Sequence, residues 1–213
     1  MRSARDIATR GPLIPVLTIA DPAHAAPLAE ALLAGGVTVL EVTLRTPAAL
    51  EAITEIVRTC PAATVGAGTI RDAGQLAAAI GAGAAFGVSP GTTARLAAAA
   101  AESDLPFLPG AATASEAMAL AERGFDVVKF FPAEAAGGAA ALKAWQAPLP
   151  ELRFCPTGGV TRDNAGDYLA LANVPCVGGS WIAPVGRIAA ADWAGITNLA
   201  RAATEELTRL RPD

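Results

Sequence analysis

The sequence predicts an α/β fold built as a single (β/α)8 barrel of the TIM type, with a short helix ahead of its first strand. Three observations predict it. Short β-rich runs alternate with alanine-rich helical stretches eight times in 213 residues, and such alternation implies parallel βαβ units. Gly or Pro punctuates many of the junctions. No low-complexity linker or charge block divides the chain, so residues 1–213 read as one domain around one core. The rival architecture is a doubly wound open sheet. Its Gly-rich fingerprint is incomplete here: neither Gly66/Gly68 nor Gly81/Gly83 finishes a GxGxxG after the first strand.

In chain order, the strand-like runs are Leu13–Ile19, Val37–Thr43, Ala63–Gly68 and Ala84–Val88, then Pro106–Leu108, Val127–Phe131, Leu152–Cys155 and Val174–Val177. Helical patterns fall at Ala23–Ala34, Pro47–Arg58, Asp72–Ile80 and Thr92–Ala101, then at Thr113–Arg123, Gly138–Trp145, Arg162–Leu171 and Ala191–Leu210. Candidate helix starts are Asp21-Pro22, Thr46-Pro47, Thr113 three residues before Glu116, and Thr161. In each, a short polar side chain could accept from the first free amides.

Composition narrows the function. The chain is 53% hydrophobic, but 53 of its residues are alanine, so much of that apolar content is small. A net charge of -4 without any Lys/Arg run argues against a nucleic-acid footprint. The uncharged stretch Ala73–Ala94 is long enough to ask about a membrane span, yet it holds five glycines and a proline and reads as helix, turn and strand. The N-terminal segment MRSARDIATRGP has no apolar signal core, and three cysteines without metal-type spacing suit reduced thiols in a cytoplasm. There is one histidine, His24, and there are two lysines, Lys129 and Lys143. Triad or zinc chemistry therefore has few residues to draw on.

Lys129 lies in the run Asp126–Pro132, where strand alternation puts Val127, Lys129 and Phe131 on one face. Burial disfavours an ammonium and supplies the neutral amine that a Schiff base requires. A structural lysine paired at a strand end is the competing reading. Glu41, Thr43 and Arg45 share a face near the end of their strand, which in a barrel faces the active site. A glutamate there could move protons and an arginine could fork onto a carboxylate or phosphate; a simple Glu41–Arg45 ion pair would also fit. Pro156–Gly159 and Gly178–Ser180 follow the last two strands, where backbone amides of barrel loops often bind phosphate, although turn geometry alone could explain the glycines. Thr69 could offer a hydroxyl to a carboxylate. Cys155, Cys176, the three tryptophans and Lys143 read as core, packing or surface residues.

Six ordered motifs then carry a resemblance: EVTLRT (41–46), GAGT (66–69), SPG (89–91), KFFPAE (129–134), CPTGGV (155–160) and GGSW (178–181). Over about residues 10–205 the sequence resembles the class I 2-keto-3-deoxy-6-phosphogluconate aldolases. The resemblance implies a metal-free, cofactor-free, homotrimeric (β/α)8 barrel that cleaves a phosphorylated keto-deoxy sugar acid to pyruvate and glyceraldehyde 3-phosphate. It implies Lys129 as the Schiff-base lysine and Glu41 as general acid/base. By the same resemblance Arg45 and Thr69 hold the pyruvyl carboxylate, and Pro90 and Phe131 line that pocket. Thr157 meets the C4 hydroxyl side, and Gly158, Gly159, Gly179 and Ser180 form the phosphate site. Phe130 and Thr157 favour the gluconate-type over the galactonate-type substrate. Cleavage of 4-hydroxy-2-oxoglutarate, or the galactonate-type reaction, is the alternative within the family. Outside it, a phosphate-barrel isomerase or epimerase and a non-catalytic sugar-phosphate sensor stay open.

Overall fold

Nine parallel strands and ten helices follow one another in a computed structural model that describes residues 3–210. The first two residues of the N-terminal segment and the last three of the expected 1–213 domain lie outside the described residues. A short helix α1 (Ala4–Thr9) leads into β1 (Leu13–Leu17), as expected, and is closed by a capping box between Ser3 and Asp6. There follow α2 (Ala25–Ala34), β2 (Val39–Thr43), α3 (Ala49–Thr59), β3 (Thr64–Gly68), α4 (Ala73–Gly81), β4 (Gly87–Val88) and α5 (Ala94–Glu102). The second half holds β5 (Phe107–Leu108), β6 (Gly110–Ala111), α6 (Ala114–Ala121), β7 (Val127–Phe130), α7 (Gly138–Trp145), β8 (Arg153–Pro156), α8 (Ala165–Leu169), β9 (Val177–Gly179), α9 (Val185–Ala189) and α10 (Trp193–Leu210).

The pairing is parallel throughout. One six-stranded sheet has the order β5-β4-β3-β2-β1-β9, and a three-stranded sheet has the order β6-β7-β8. The fifth expected strand, Pro106–Leu108, is found as Phe107 and Leu108 paired with β4. Beyond Pro109 the chain adds a further short strand outside the expected runs, Gly110 and Ala111, which pairs with β7. At the other seam a single bridge, Thr157 to Gly178, spans β8 and β9. The result is a curled parallel α/β sheet whose ladders stop short of the continuous eight-stranded barrel that the sequence predicts. A proline has no N–H to give to a ladder, which is why the break falls at Pro109.

Two apolar clusters follow from strand alternation. Ile14, Val39, Val88, Leu108, Val127, Cys155 and Cys176 point to the inside of the curl, with Ile7 of α1 among them. The opposite faces, such as Leu17, Leu40, Val65, Val128 and Phe154, pack against the helices. Alanine-rich helices suit this layer because small side chains let a helix lie close to the sheet. The same economy governs α2 against α10. A Cβ on Gly35 would meet the Thr197 carbonyl oxygen at 2.9 Å.

Several expected boundaries differ: the eighth strand, expected at Val174–Val177, is observed at Val177–Gly179, and α9 has no counterpart among the expected helices. Ala23–Ala34 divides into a 3-10 turn (Pro22–His24), capped by Asp21 Oδ1, and α2. The long C-terminal helix expected from Ala191 begins at Trp193, because Ala191 takes a left-handed φ of 51°. Thr46 and Thr161 do not cap helices. The Thr46 hydroxyl donates to the Ile19 carbonyl at 2.5 Å, while Asn164 Oδ1 accepts from the Thr161 amide. Thr113 does cap α6, in a full capping box with Glu116. Among the described residues, no helix is long and apolar enough to cross a membrane.

Candidate functional site

Lys129 and Glu41 come from strands on different sheets, 88 positions apart, and meet inside the curl. Lys129 Nζ donates to Glu41 Oε1 at 3.0 Å, and each residue is only 3% exposed. The inward faces read from the sequence bring them together: Lys129 pairs in register with Gly110 and Cys155, and Glu41 with Val16 and Gly66. Gly68 makes room for the carboxylate, since a Cβ there would collide with the Glu41 side chain. The partner of Glu41 is thus Lys129, and the Glu41–Arg45 ion pair considered from the sequence does not form. Two opposite charges taken out of water hold each other only when paired this closely.

Arg45 lies beyond β2, and its Nε donates to the Thr69 hydroxyl at 3.2 Å. Thr69 holds a φ of 61°, a left-handed conformation that is costly for a β-branched residue. The reward is position: the twist aims its hydroxyl at the guanidinium. Phe131 sits with its ring centroid 5.5 Å from Lys129 Nζ, within cation–π range.

A cleft of about 530 Å³ opens at these strand ends. Arg45, Phe131, Thr157, Gly158, Gly159, Gly179 and Ser180, seven of the residues singled out from the sequence, line it together. Gly158 and Gly159 have φ of 94° and 79°, so the turn after β8 requires glycine at both positions. Gly179 lets the Trp181 ring lie against the backbone, and Trp181 also lines the cleft rather than only packing core. Pro90, like Thr69, Glu41 and Lys129, lies outside the lining of this cleft. It packs where a Cβ on Gly110 would strike the Pro90 backbone. Phe130 does not face the cleft either; it is fully buried, edge-on to Trp145 at 5.2 Å, so it touches no cleft ligand. His24 packs edge-on to Trp193, Lys143 is exposed on α7, and all three cysteines are buried.

Sequence reasoning missed several supports. Ser89 Oγ accepts from the Gly110 amide at 3.0 Å, and Thr92 Oγ1 donates to the Gly110 carbonyl at 3.0 Å, so two hydroxyls hold the strand ends together at the Pro109 break. Beneath the glycine turn, Tyr168 donates to Glu134, the Glu134 amide donates to the Gly158 carbonyl at 3.1 Å, and Asn164 Nδ2 donates to the Gly159 carbonyl at 3.1 Å. Burial and the Glu134 hydrogen bond push the Tyr168 phenol well above its ordinary range. Thr18 also lines the cleft. These links join residues far apart in sequence, and no local pattern announces them.

A lysine amine and a carboxylate, buried in contact at the carboxyl ends of a parallel α/β sheet, are the equipment of lysine-dependent enzymes that act on carbonyl compounds. The relatives place the chain within that class. The profile of the "Aldolase: KDPG and KHG aldolase" family matches residues 5–199, and the chain belongs to this family. The KHG/KDPG aldolase of Escherichia coli (strain K12) is 50% identical over 203 residues, 95% of either chain. A KDPG aldolase structure from Legionella pneumophila, with pyruvate captured at low pH as a covalent carbinolamine intermediate, superposes with a TM-score of 0.93 at 46% identity, covering 95% of this chain and 98% of that one. The 2-keto-3-deoxy-6-phosphogluconate aldolase of Zymomonas mobilis ZM4, with 3-phosphoglycerate, gives a TM-score of 0.90 at 48% identity, covering 96% of each chain.

Proposed function

We propose that the protein is a class I aldolase that cleaves 2-keto-3-deoxy-6-phosphogluconate to pyruvate and glyceraldehyde 3-phosphate. The observation that carries this reading is the buried Lys129–Glu41 contact at 3.0 Å beside a cleft walled by glycine turns. Lys129 passes a proton to Glu41 across their contact and, as the free amine, adds to the C2 ketone to give a carbinolamine. Glu41 returns that proton to the departing hydroxyl, so that water leaves and a protonated imine remains. Glu41 accepts the C4 hydroxyl proton, directly or through one water, and the C3–C4 bond breaks. Its electron pair moves into the protonated imine, leaving an enamine, and glyceraldehyde 3-phosphate departs. Protonation of the enamine at C3 and hydrolysis of the imine release pyruvate and restore Lys129. Arg45 and Thr69 hold the carboxylate end, Phe131 and Pro90 border that pocket, and Thr157 meets the C4 side. Gly158, Gly159, Gly179 and Ser180 take the phosphate, which fixes the substrate far from the breaking bond.

The same site accommodates 4-hydroxy-2-oxoglutarate, and the E. coli relative bears both substrate names. The glycine turns favour the phosphorylated acid, since they have no use in the smaller one. We further infer that residues 1–213 form one domain, that the two sheets close as a (β/α)8 barrel across Pro109 and the Thr157–Gly178 bridge, and that the protein works as a cytoplasmic homotrimer. Borohydride with pyruvate traps a covalent adduct on Lys129, found by peptide mass. An unmodified Lys129, or full activity in Lys129→Ala, overturns the assignment. A coupled assay with both C4 epimers and with 4-hydroxy-2-oxoglutarate, each with and without chelator, ranks the substrates; turnover that chelator abolishes contradicts the metal-free mechanism.

A further inference from the structure

One hydroxyl in the cleft is used by none of the roles above. Thr18 directly follows β1, which lies between β2, the strand of Glu41, and β9, which ends at Gly179. Ile14, Val16 and Thr18 share one face of that run: Ile14 belongs to the interior cluster, and Val16 and Thr18 line the cleft. The neighbouring hydroxyl decides how Thr18 hydrogen-bonds. Thr43 is fully buried, and its hydroxyl donates to the Leu17 carbonyl at 2.8 Å. The Thr18 and Thr43 hydroxyl oxygens are 3.3 Å apart. A hydroxyl has one proton and two lone pairs. With the Thr43 proton committed to Leu17, Thr18 is the donor of this pair, and its lone pairs are left for the cleft. Lone pairs repel carboxylate and phosphate oxygens but accept from a hydroxyl.

We propose that Thr18 is a specificity-determining residue that accepts a hydrogen bond from the C5 hydroxyl of the keto-deoxy sugar acid. In the reverse, aldol-addition direction this is the C2 hydroxyl of glyceraldehyde 3-phosphate. The inference rests on the aldolase reading above. That substrate carries hydroxyls at C4 and C5. The C4 proton goes to Glu41 as the bond breaks, which leaves the C5 hydroxyl as a donor in need of an acceptor. It lies between the reacting carbons and the phosphate, as Thr18 lies between the strand of Glu41 and that of Gly179.

Addition of pyruvate to two phosphorylated aldehydes tests this: glyceraldehyde 3-phosphate and 3-phosphooxypropanal, which lacks only the hydroxyl. The wild-type ratio of kcat/KM values includes the intrinsic reactivity of the two aldehydes; its change on mutation does not. Thr18→Val, which keeps the shape and removes the hydroxyl, lowers kcat/KM for glyceraldehyde 3-phosphate by about three- to tenfold and leaves that for 3-phosphooxypropanal unchanged. Thr18→Ala changes the ratio in the same direction, and Thr18→Ser preserves it. An unchanged ratio in Thr18→Val and Thr18→Ala, including an equal loss with both acceptors, overturns the proposal. A wild-type enzyme that adds pyruvate to neither aldehyde overturns the aldolase reading itself, and the proposal with it.

Discussion

Glu41 and Lys129 are each 3% exposed, so substitutions at either change both chemistry and stability. Removing Lys129 leaves a buried carboxylate without its partner, which costs about 3–5 kcal/mol. Glu41→Gln is gentler, since the amide oxygen still accepts from Lys129. It cannot take the C4 proton, however, and turnover falls by about 10²–10⁴-fold in the coupled assay. An activity within threefold of wild type would remove Glu41 from the mechanism. Thr69 poses the opposite trade. Its left-handed backbone costs on the order of 1–3 kcal/mol, and glycine relieves it. Thr69→Gly therefore melts at or above the wild-type temperature, while its KM for pyruvate in the addition direction rises, because Arg45 loses the hydroxyl 3.2 Å from its Nε. A melting temperature well below wild type would show that the conformation is not strained.

Elements meet here through small residues, and at the fifth strand position the close approach is to backbone alone. A Cβ on Gly110 would stand 2.6 Å from the Gly91 amide nitrogen and strike the Pro90 carbonyl, with only backbone there to yield. Gly110→Ala must therefore shift the 89–91 loop or β6. The expected loss is about 1–3 kcal/mol in urea unfolding, together with a weaker hold on substrate, because the Ser89 and Thr92 hydroxyls that bind Gly110 move with it. Wild-type stability in Gly110→Ala would mean that the loop tolerates displacement. A conventional core site gives the comparison. Ile53 and Ile56 of α3 are fully buried between helix and sheet, and either one changed to Ala costs about 2–5 kcal/mol. Unlike Gly110→Ala, those variants should leave KM near wild type.

At the scale of the molecule, what could be read in the sequence was whatever repeats along the chain. Alternation fixes which side of β2 carries Glu41 and which side of β7 carries Lys129, and their 3.0 Å contact follows once the sheet curls. The break at Pro109, the outward-facing Phe130 and the Tyr168–Glu134 and Thr18–Thr43 links were not legible, because each depends on how segments far apart in sequence meet. Stability against pH is a property of the same scale, set by groups scattered over several elements. Asp6, Glu116 and Asp192 have lowered carboxyl pKa values, chiefly because backbone amides of Ser3, Ala112 and Gly195 donate to them. A group whose folded pKa is depressed stabilises the fold above its unfolded value, here 3.8 for Asp and 4.5 for Glu, and that contribution is lost as pH falls through the folded value. Tyr168 is shifted up from 10.0, first by burial and then by its hydrogen bond to Glu134. Its contribution is complete below pH 10.0 and lost as pH rises toward the folded value. The melting temperature should thus drop on both the acid and the alkaline side of a broad plateau. Glu116→Gln makes the acid limb shallower without touching the alkaline one, and Tyr168→Phe does the reverse. Melting curves collected across the pH range decide it, and an alkaline limb that survives intact in Tyr168→Phe would assign that loss to another group.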